Sequence, residues 1–426
     1  MEEKIDTSVN RVEEIRDVKE PVKKPFLVRF WWIALICSAI AVFVIIAAVT
    51  GGNSDKRSEN NNSGQPNQQE TSGYRDIFLT SKIFPKDVEV KFTVPPMPID
   101  KITSIGPLGG ANSGVAQDSS GAGSHNVPAD HIYVHEGDKK TGRTQAYDVR
   151  AVADGYLVQV EYQKARWEAN DHVSRMDDYT LNFQYSKNLF LMICHLTDLS
   201  PDIKNKVGNL TEGDQNFYEI PVKAGEIIGR GGGGPTIDAV DLWAVDLNRQ
   251  AHFIHPERYG TKSGHSVNPL DYFAEPLRSQ LYTKLPIRPE PRAGEFAYDV
   301  DGKLVGNWFP LKEDKKFKRG MPTLSFFYFS LDPSVIQIGY IPTNSVYFVK
   351  NNKPDPAKIG VTSGLVKYEV MSDRLTEGSP APANFQTEGT FLVQMLGDRK
   401  IKAELFEGKR ADQVTGFTEN AQTYDR

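Results

Sequence analysis

The sequence predicts a mainly β protein in which one N-terminal transmembrane helix precedes two β-rich domains. Three observations predict this fold class: an uncharged apolar run near the N-terminus, a polar stretch after it, and short β-branched and aromatic segments that continue to the C-terminus. Long helices are not expected after residue 50. The chain of 426 residues, 39% of them hydrophobic and 25% charged, is long enough for two or three domains.

The composition excludes several classes of protein. Fifty basic residues against 55 acidic ones give a net charge of −5, and no long basic run is present, so nucleic acid is not an expected partner. The two cysteines, Cys37 and Cys194, are too few for a disulfide framework or a Cys-based zinc site.

The predicted transmembrane helix occupies residues 26–50. Residues 31–49 carry no charge, and a helix of that length covers about the hydrocarbon thickness of a bilayer. Basic residues cluster at its N-terminal end, namely Lys23, Lys24 and Arg29. The positive-inside rule then predicts a cytoplasmic tail at 1–25 and a single-pass protein of the cell membrane whose bulk is extracytoplasmic, either periplasmic or at the cell surface. A cleaved signal peptide is the alternative, and the length of the apolar run disfavours it.

The remainder of the chain is predicted to contain two linkers and two domains. Residues 51–75 are almost devoid of apolar side chains, which predicts a flexible polar linker. The β-rich segments 76–283 and 292–426 are separated by a Pro-rich linker at 284–291.

Turn residues predict two hairpins in the C-terminal domain, one at Asp301-Gly302 and one at Gly397-Asp398-Arg399. Its aromatic clusters are typical of a two-sided core. No catalytic constellation is recognisable there, so the function of this domain is not predicted.

Histidine is the residue type on which zinc or acid–base chemistry would depend, because Cys194 is the one cysteine after residue 50. His131 and His135 stand four residues apart in a strand-like stretch. In a strand this spacing places them on one face at about 13 Å, too far apart to chelate one ion directly. The spacing alone is therefore a weak indication of a metal site.

The order of several segments along the chain is more specific. These segments are, in order, the histidines near residue 131, Val149–Val158, Cys194-His195-Leu196, Val222–Arg230, Val240-Asp241-Leu242-Trp243 and Asn268–Phe273. Over roughly residues 125–275 they resemble the lysostaphin-like zinc endopeptidases, which cut peptidoglycan cross-links. The resemblance implies a compact antiparallel β-sandwich or broken barrel of the duplicated hybrid motif type.

In that family the His and Asp of an H-x-x-x-D motif and the second His of a late H-x-H motif bind zinc. The resemblance implies His131 as the first ligand with His135 in the place of the aspartate, or His135 with Asp138 in a shifted register. His195 stands for the catalytic histidine that follows a central strand. The late motif reads Asp241-Leu242-Trp243, and an indole has no lone pair for a metal.

The sequence therefore predicts a membrane-anchored, non-catalytic peptidase-like module that binds cell wall, a glycan or an envelope protein and needs no cofactor. The first alternative is a membrane-tethered zinc hydrolase with rearranged ligands. Asp238 or Asp241 would then coordinate the ion, or His252 and His255 would approach it. The second alternative is a structural subunit of a surface assembly.

Overall fold

The computed structural model describes residues 76–80, 83–111, 126–136, 146–169, 172–233, 239–311, 324–372 and 386–426. From Tyr74 to Arg426 the chain forms one compact unit. The described part is mainly antiparallel β, with four short α-helices: α1 (Ile77–Thr80), α2 (Pro201–Val207), α3 (Gly260–Gly264) and α4 (Leu277–Tyr282).

The first eleven strands of the described part build two sheets. They are β1 (Ile102–Gly106), β2 (Ile132–Glu136), β3 (Tyr147–Arg150), β4 (Gly155–Ala169), β5 (His172–Gln184), β6 (Leu189–Leu196), β7 (Asp198–Leu199), β8 (Gln215–Val222), β9 (Ile227–Gly231), β10 (Ala239–Asp246) and β11 (Ser266–Val267). The larger sheet has eight strands in the order β1-β2-β10-β6-β5-β4-β8, with β11 paired to β10. The smaller sheet is β3-β9-β7.

Side-chain alternation along β10 explains how the large sheet packs. Val240 and Leu242 are buried in the main core, whereas Asp241 and Trp243 alternate with them and face the other side of the sheet. Val149 of the smaller sheet belongs to the same core. The main core therefore lies between the two sheets, and the opposite face of the large sheet carries polar groups beside a smaller apolar cluster that includes Phe190 and Val245.

The last eight strands close a barrel. They are β12 (Gly306–Pro310), β13 (Leu324–Tyr328), β14 (Ile336–Tyr340), β15 (Ser345–Val349), β16 (Leu365–Ser372), β17 (Gly389–Gly397), β18 (Lys400–Glu407) and β19 (Gln422–Asp425). Closure comes from the pairing of Phe309 on β12 with Asp425 on β19. Trp308, Phe326 and Tyr368 are fully buried in the barrel core. A barrel of eight strands is just wide enough to be filled by side chains in this way.

The barrel packs against the preceding part of the unit through its outer face. Gly339 of β14 lies so close to the backbone of Asn126 that an added Cβ would be 1.6 Å from the Asn126 carbonyl oxygen. The side-chain amide of Asn126 donates to Oδ1 of Asn344 at 3.1 Å. Asn307 Nδ2 donates to the hydroxyl of Tyr259 at 3.2 Å. The domain boundary at 284–291 stays a prediction.

The transmembrane helix in the predicted fold class must be corrected. Among the helices of the described ranges none is long and apolar enough to cross a bilayer, and α2, with seven residues, is the longest of these helices. A span needs about 20 apolar residues. The helix predicted at 26–50 and the linker predicted at 51–75 lie outside the described residues. The supported fold class is a mainly antiparallel β architecture of two packed sheets and a closed barrel.

Candidate functional site formed by alternating imidazoles and carboxylates

Three of the predicted site residues meet on the face of the large sheet that points away from the main core. His131 immediately precedes β2, Asp241 lies near the start of β10, and His195 lies near the end of β6. These three strands are adjacent in the sheet. Oδ2 of Asp241 is 3.4 Å from Nε2 of His131 and 3.2 Å from Nε2 of His195. One carboxylate thus bridges two imidazoles.

A further carboxylate faces the other nitrogen of each ring. Oδ1 of Asp130 is 3.5 Å from Nδ1 of His131, and Oδ2 of Asp178 is 3.2 Å from Nδ1 of His195. We call the resulting series Asp130, His131, Asp241, His195 and Asp178 the imidazole–carboxylate chain. Its side chains are between 3% and 12% exposed, except that of His195, which is 31% exposed. The chain is therefore a buried charge network with one edge open to solvent.

The backbone at His195 is what turns its ring towards Asp241. Cys194 is directly opposite Asp241 in the β6–β10 register, so regular alternation would direct the next side chain to the opposite face. His195 instead has φ of 66°, in the left-handed region. The β5–β6 register also shifts between Tyr179 and Leu181. A left-handed non-glycine residue costs on the order of 1 kcal/mol, and this conformation goes with a ring that reaches carboxylates at both nitrogens.

The carboxylates determine the protonation of both rings. Burial by itself lowers the pKa of His131, but its contacts with Asp130 and Asp241 outweigh burial and raise that pKa to about 9. Burial likewise lowers the pKa of His195, and the charges of Asp241 and Asp178 raise it well above its usual value. Burial raises the pKa of Asp241, yet the two imidazoles hold it far below its usual range. At neutral pH two imidazolium groups therefore flank an ionised Asp241.

Trp243 occupies the position at which the resemblance places the last zinc ligand. Its ring centroid lies 4.8 Å from that of His131, and its Nε1 donates to Oγ of Ser266 at 2.6 Å. Nζ of Lys262 lies 3.7 Å from the centre of the indole, as a cation–π contact. The indole therefore covers His131 and contributes no metal-binding lone pair.

His135 is a neighbour of this chain and not one of its members. His135 is paired in register with Ala239, and its ring stacks on Tyr133, whose own ring contacts His131. Asp138 and Asp238 lie outside the described residues.

The two late histidines of the zinc alternative lie elsewhere. Nδ1 of His255 is 2.8 Å from Oε1 of Glu257, and its Nε2 is 3.2 Å from Arg399. His252 is exposed and lines a separate cleft. In the part of the chain that the structure describes, no group of three or more His, Cys, Asp or Glu side chains has the arrangement of a metal site.

Sequence reasoning missed two members of the chain, Asp130 and Asp178. The sequence contained an indication of Asp130, because this residue directly precedes His131. The sequence contained no indication of Asp178, which lies 17 residues before His195 and meets it only through the pairing of β5 with β6.

Comparison with known proteins finds weak similarity. No protein-family profile matches the chain, and no curated protein matches it. The structure titled "Structure of the SpoIIQ-SpoIIIAH pore forming complex" is 17% identical over 45% of this chain and 96% of the other, with a TM-score of 0.25. "Crystal Structure of SpoIIIAH and SpoIIQ Complex" is 17% identical over 42% and 99%, with a TM-score of 0.22.

A mutant catalytic domain of the prophage-encoded M23 protein EnpA from Enterococcus faecalis is 20% identical over 32% of this chain and 88% of the other, with a TM-score of 0.13. TM-scores of this size do not establish a shared fold. The mainly β architecture therefore rests on the strands described above.

Proposed function

We propose that the protein is a non-catalytic binding module on a peptidase-like β scaffold, with a ligand in the cell envelope: the wall, a glycan or another envelope protein. The observation that carries the proposal is the position of Asp241, whose Oδ2 lies within 3.4 Å of both imidazoles. The resemblance would place a catalytic histidine at Asp241 and a zinc ligand at Trp243.

The geometry of the imidazole–carboxylate chain argues against zinc hydrolysis. A histidine that binds zinc does so through the lone pair of a neutral ring. Each ring of the chain has carboxylates facing both nitrogens, an arrangement that suits an imidazolium with an anion on each side. A doubly protonated imidazole also has no lone pair with which to activate a water molecule.

The same arrangement suits recognition. It fixes β2, β10 and β6 relative to one another and leaves one positively charged ring, that of His195, partly open to solvent. Half-buried aromatic side chains of Tyr133 and Trp243 lie on the same face of the sheet. The exposed edge of the His195 ring and the aromatic surface beside it form a fixed surface against which a ligand can pack.

Co-sedimentation with purified cell wall, and pull-down of envelope proteins, test binding directly. We expect the full-length chain to be retained by one of these fractions and to release no peptide from the wall when micromolar zinc is added. Asp241→Asn should weaken retention, since it removes the charge that holds both rings. The matched control is Asp198→Asn, which should behave like the wild type. Asp198 lies on β7 of the smaller sheet and forms an exposed ion pair with Lys204.

Two outcomes would contradict the proposal. If no envelope fraction retains the chain, the binding function fails. If the chain holds one equivalent of zinc and releases wall peptides in a reaction abolished by His195→Ala, the zinc hydrolase with rearranged ligands replaces it.

A further inference from the structure

Two strands of the large sheet, β4 and β5, continue past their other neighbours. The register of β4 with β8 ends at Glu161, and that of β5 with β6 ends at Tyr179. The pairing of β4 with β5 continues to Ala169 and His172. We call residues 163–169 of β4 and 172–178 of β5 the arm. A strand of seven residues extends over roughly 20 Å.

Side chains at the base of the arm connect its two strands. The rings of Tyr162 and Tyr179 stack with their centroids 4.8 Å apart, and the Tyr162 hydroxyl donates to Oδ1 of Asp177 at 2.9 Å. Nε2 of Gln163 donates to Oδ2 of Asp178 at 3.3 Å. The base is therefore well tied, but a two-stranded ribbon beyond it is only marginally stable in water, and further strands would stabilise it.

The outer edge of β4 in the arm presents backbone groups to solvent. Both hydrogen-bonding groups of the Tyr162 backbone pair outward with residues 213–214, at 2.8 and 3.0 Å. Alternate residues of a strand direct their backbone groups to opposite edges, so those of Lys164, Arg166 and Glu168 also face outward. Within the described ranges no strand pairs with them. This edge is therefore a template for one further strand.

The charges of the arm indicate what that strand should carry. Arg166 is directly opposite Arg175 in the β4–β5 register, and like charges in this arrangement destabilise a ribbon. Glu168 is directly opposite Val173, which carries no charge. The free edge of β4 therefore favours a strand that brings an acidic residue to Arg166 and a basic residue to Glu168.

The same strand of a second copy meets both requirements. In an antiparallel pairing of β4 with β4 centred on Trp167, Arg166 of each copy is opposite Glu168 of the other. Opposite charges in this position stabilise a sheet. Centring the pairing one residue earlier would instead place Arg166 against Arg166 of the other copy.

The edge of β5 is less suitable for a second copy. Centring a β5–β5 pairing on Arg175 opposes two arginines. Centring it on Met176 brings Arg175 to Asp177, but it directs the end of the arm onto Tyr179, whose edge is already paired with β6. The contact is therefore assigned to β4.

We propose that two copies of this chain associate through β4 of their arms. The four strands then form one ribbon in the order β5-β4-β4-β5, with a two-fold axis at Trp167. This isologous contact pairs backbone groups of both copies and replaces two marginal ribbons by one four-stranded sheet. It does not rest on the function proposed above, since none of the residues paired between copies belongs to the imidazole–carboxylate chain.

Light-scattering mass measurement of the full-length chain over a concentration series tests the association. We expect the mass of two chains at the highest concentrations. Arg166→Glu places two acidic residues opposite each other and should weaken the dimer at least tenfold. Combining it with Glu168→Arg restores opposite charges and should restore the dimer. The matched control is Arg410→Glu, at an exposed arginine of the C-terminal part that pairs with Asp412, and it should leave the mass unchanged.

Cysteine cross-linking tests the register. In a Cys37→Ser background, Trp167→Cys places two thiols at the two-fold axis, where directly opposite residues are close enough for a disulfide. Mild oxidation should therefore yield a covalent dimer. Ala165→Cys is the matched control, since residue 165 is opposite Ala169 of the other copy and should cross-link far more slowly.

Three outcomes would overturn the inference. The first is a wild-type chain that stays monomeric at every concentration. The second is a dimer that Arg166→Glu leaves intact, or that the charge swap fails to restore, because the association would then lie elsewhere. The third is equal cross-linking of the two cysteine variants, which would contradict the axis at Trp167.

Discussion

Replacing Asp241 by Asn removes the negative charge between His131 and His195 while nearly preserving the shape of the side chain. The size of the effect follows from His131. Its pKa rises from 6.5 to about 9 in the folded protein, a difference worth roughly 3 kcal/mol at about 1.4 kcal/mol for each pKa unit, to which Asp130 and Asp241 both contribute. Breaking a buried ion pair by removing one partner typically costs about 3–5 kcal/mol. We therefore expect Asp241→Asn to lower the free energy of unfolding by about 3 kcal/mol at pH 6.

The pH dependence has a defined sign. A histidine whose pKa is raised on folding contributes stability that is complete below its unfolded-state value of 6.5 and is lost as the pH rises through about 9. The lowered pKa of Asp241 acts in the opposite range: its contribution is present above 3.8 and is lost as the pH falls further. The wild-type chain should therefore lose stability between pH 7 and pH 10. The variant should lose less over this range, since only Asp130 still pairs with His131.

Urea unfolding followed by tryptophan fluorescence at pH 6, 8 and 10 measures both effects. Asp198→Asn is the control for removal of a carboxylate, and as an exposed pair it should change stability by less than about 1 kcal/mol. The reasoning is refuted if Asp241→Asn costs less than the control at pH 6, or if the wild type is as stable at pH 10 as at pH 6.

Three further predictions concern other parts of the unit. Gly339→Val should destabilise the chain by about 3 kcal/mol in urea unfolding because its Cβ would overlap the Asn126 carbonyl oxygen, and wild-type stability would contradict that contact. Arg426→Ala should cost about 2 kcal/mol, since the guanidinium lies 3.8 Å from the centre of the Trp308 ring and donates to the Lys303 carbonyl at 2.8 Å; an unchanged thermal midpoint would count against it. Burial raises the pKa of Cys194 to about 12, and Asp241 adds to the shift. Mass spectrometry should therefore find this thiol alkylated by iodoacetamide at pH 8 at least tenfold more slowly in the folded than in the unfolded chain, and equal rates would show it to be accessible.

Local patterns predicted part of the fold, while long-range pairing was beyond them. The turn at Gly397-Asp398-Arg399 is confirmed, because β17 and β18 pair across it. The hairpin predicted at Asp301-Gly302 is wrong, because the segment before the turn is not a strand. Gly302 does lie in a turn, with φ of 71°. The Asp299 carboxylate accepts from the backbone N–H groups of Ile254, in a distant loop, and of Asn307, on β12. A side chain, and not a backbone ladder, therefore connects this segment to the predicted second strand.

Closure of the barrel depends on β12 and β19, which lie more than 100 residues apart, and no local signal encodes that pairing.

The residues of the candidate site were likewise predicted only in part. The order of motifs drew attention to His131, His195 and Asp241, and the structure places these three together. Asp178 reaches His195 through a register shift and a left-handed backbone, and neither can be read from residue types. The role of Asp241 as a bridge between two rings was likewise not predicted, since the sequence suggested it only as a substitute zinc ligand.

Nitrogen-15 NMR of histidine-labelled full-length chain tests the central claim most directly, because it reports the protonation of each ring nitrogen. At pH 7 we predict that His131 and His195 both give imidazolium signals, with Nδ1 and Nε2 protonated, and that one equivalent of zinc leaves these signals in place. Assignment by His131→Gln and His195→Gln identifies the two rings. A neutral tautomer of either ring at pH 7, or a displacement of both sets of signals by zinc, would contradict the account.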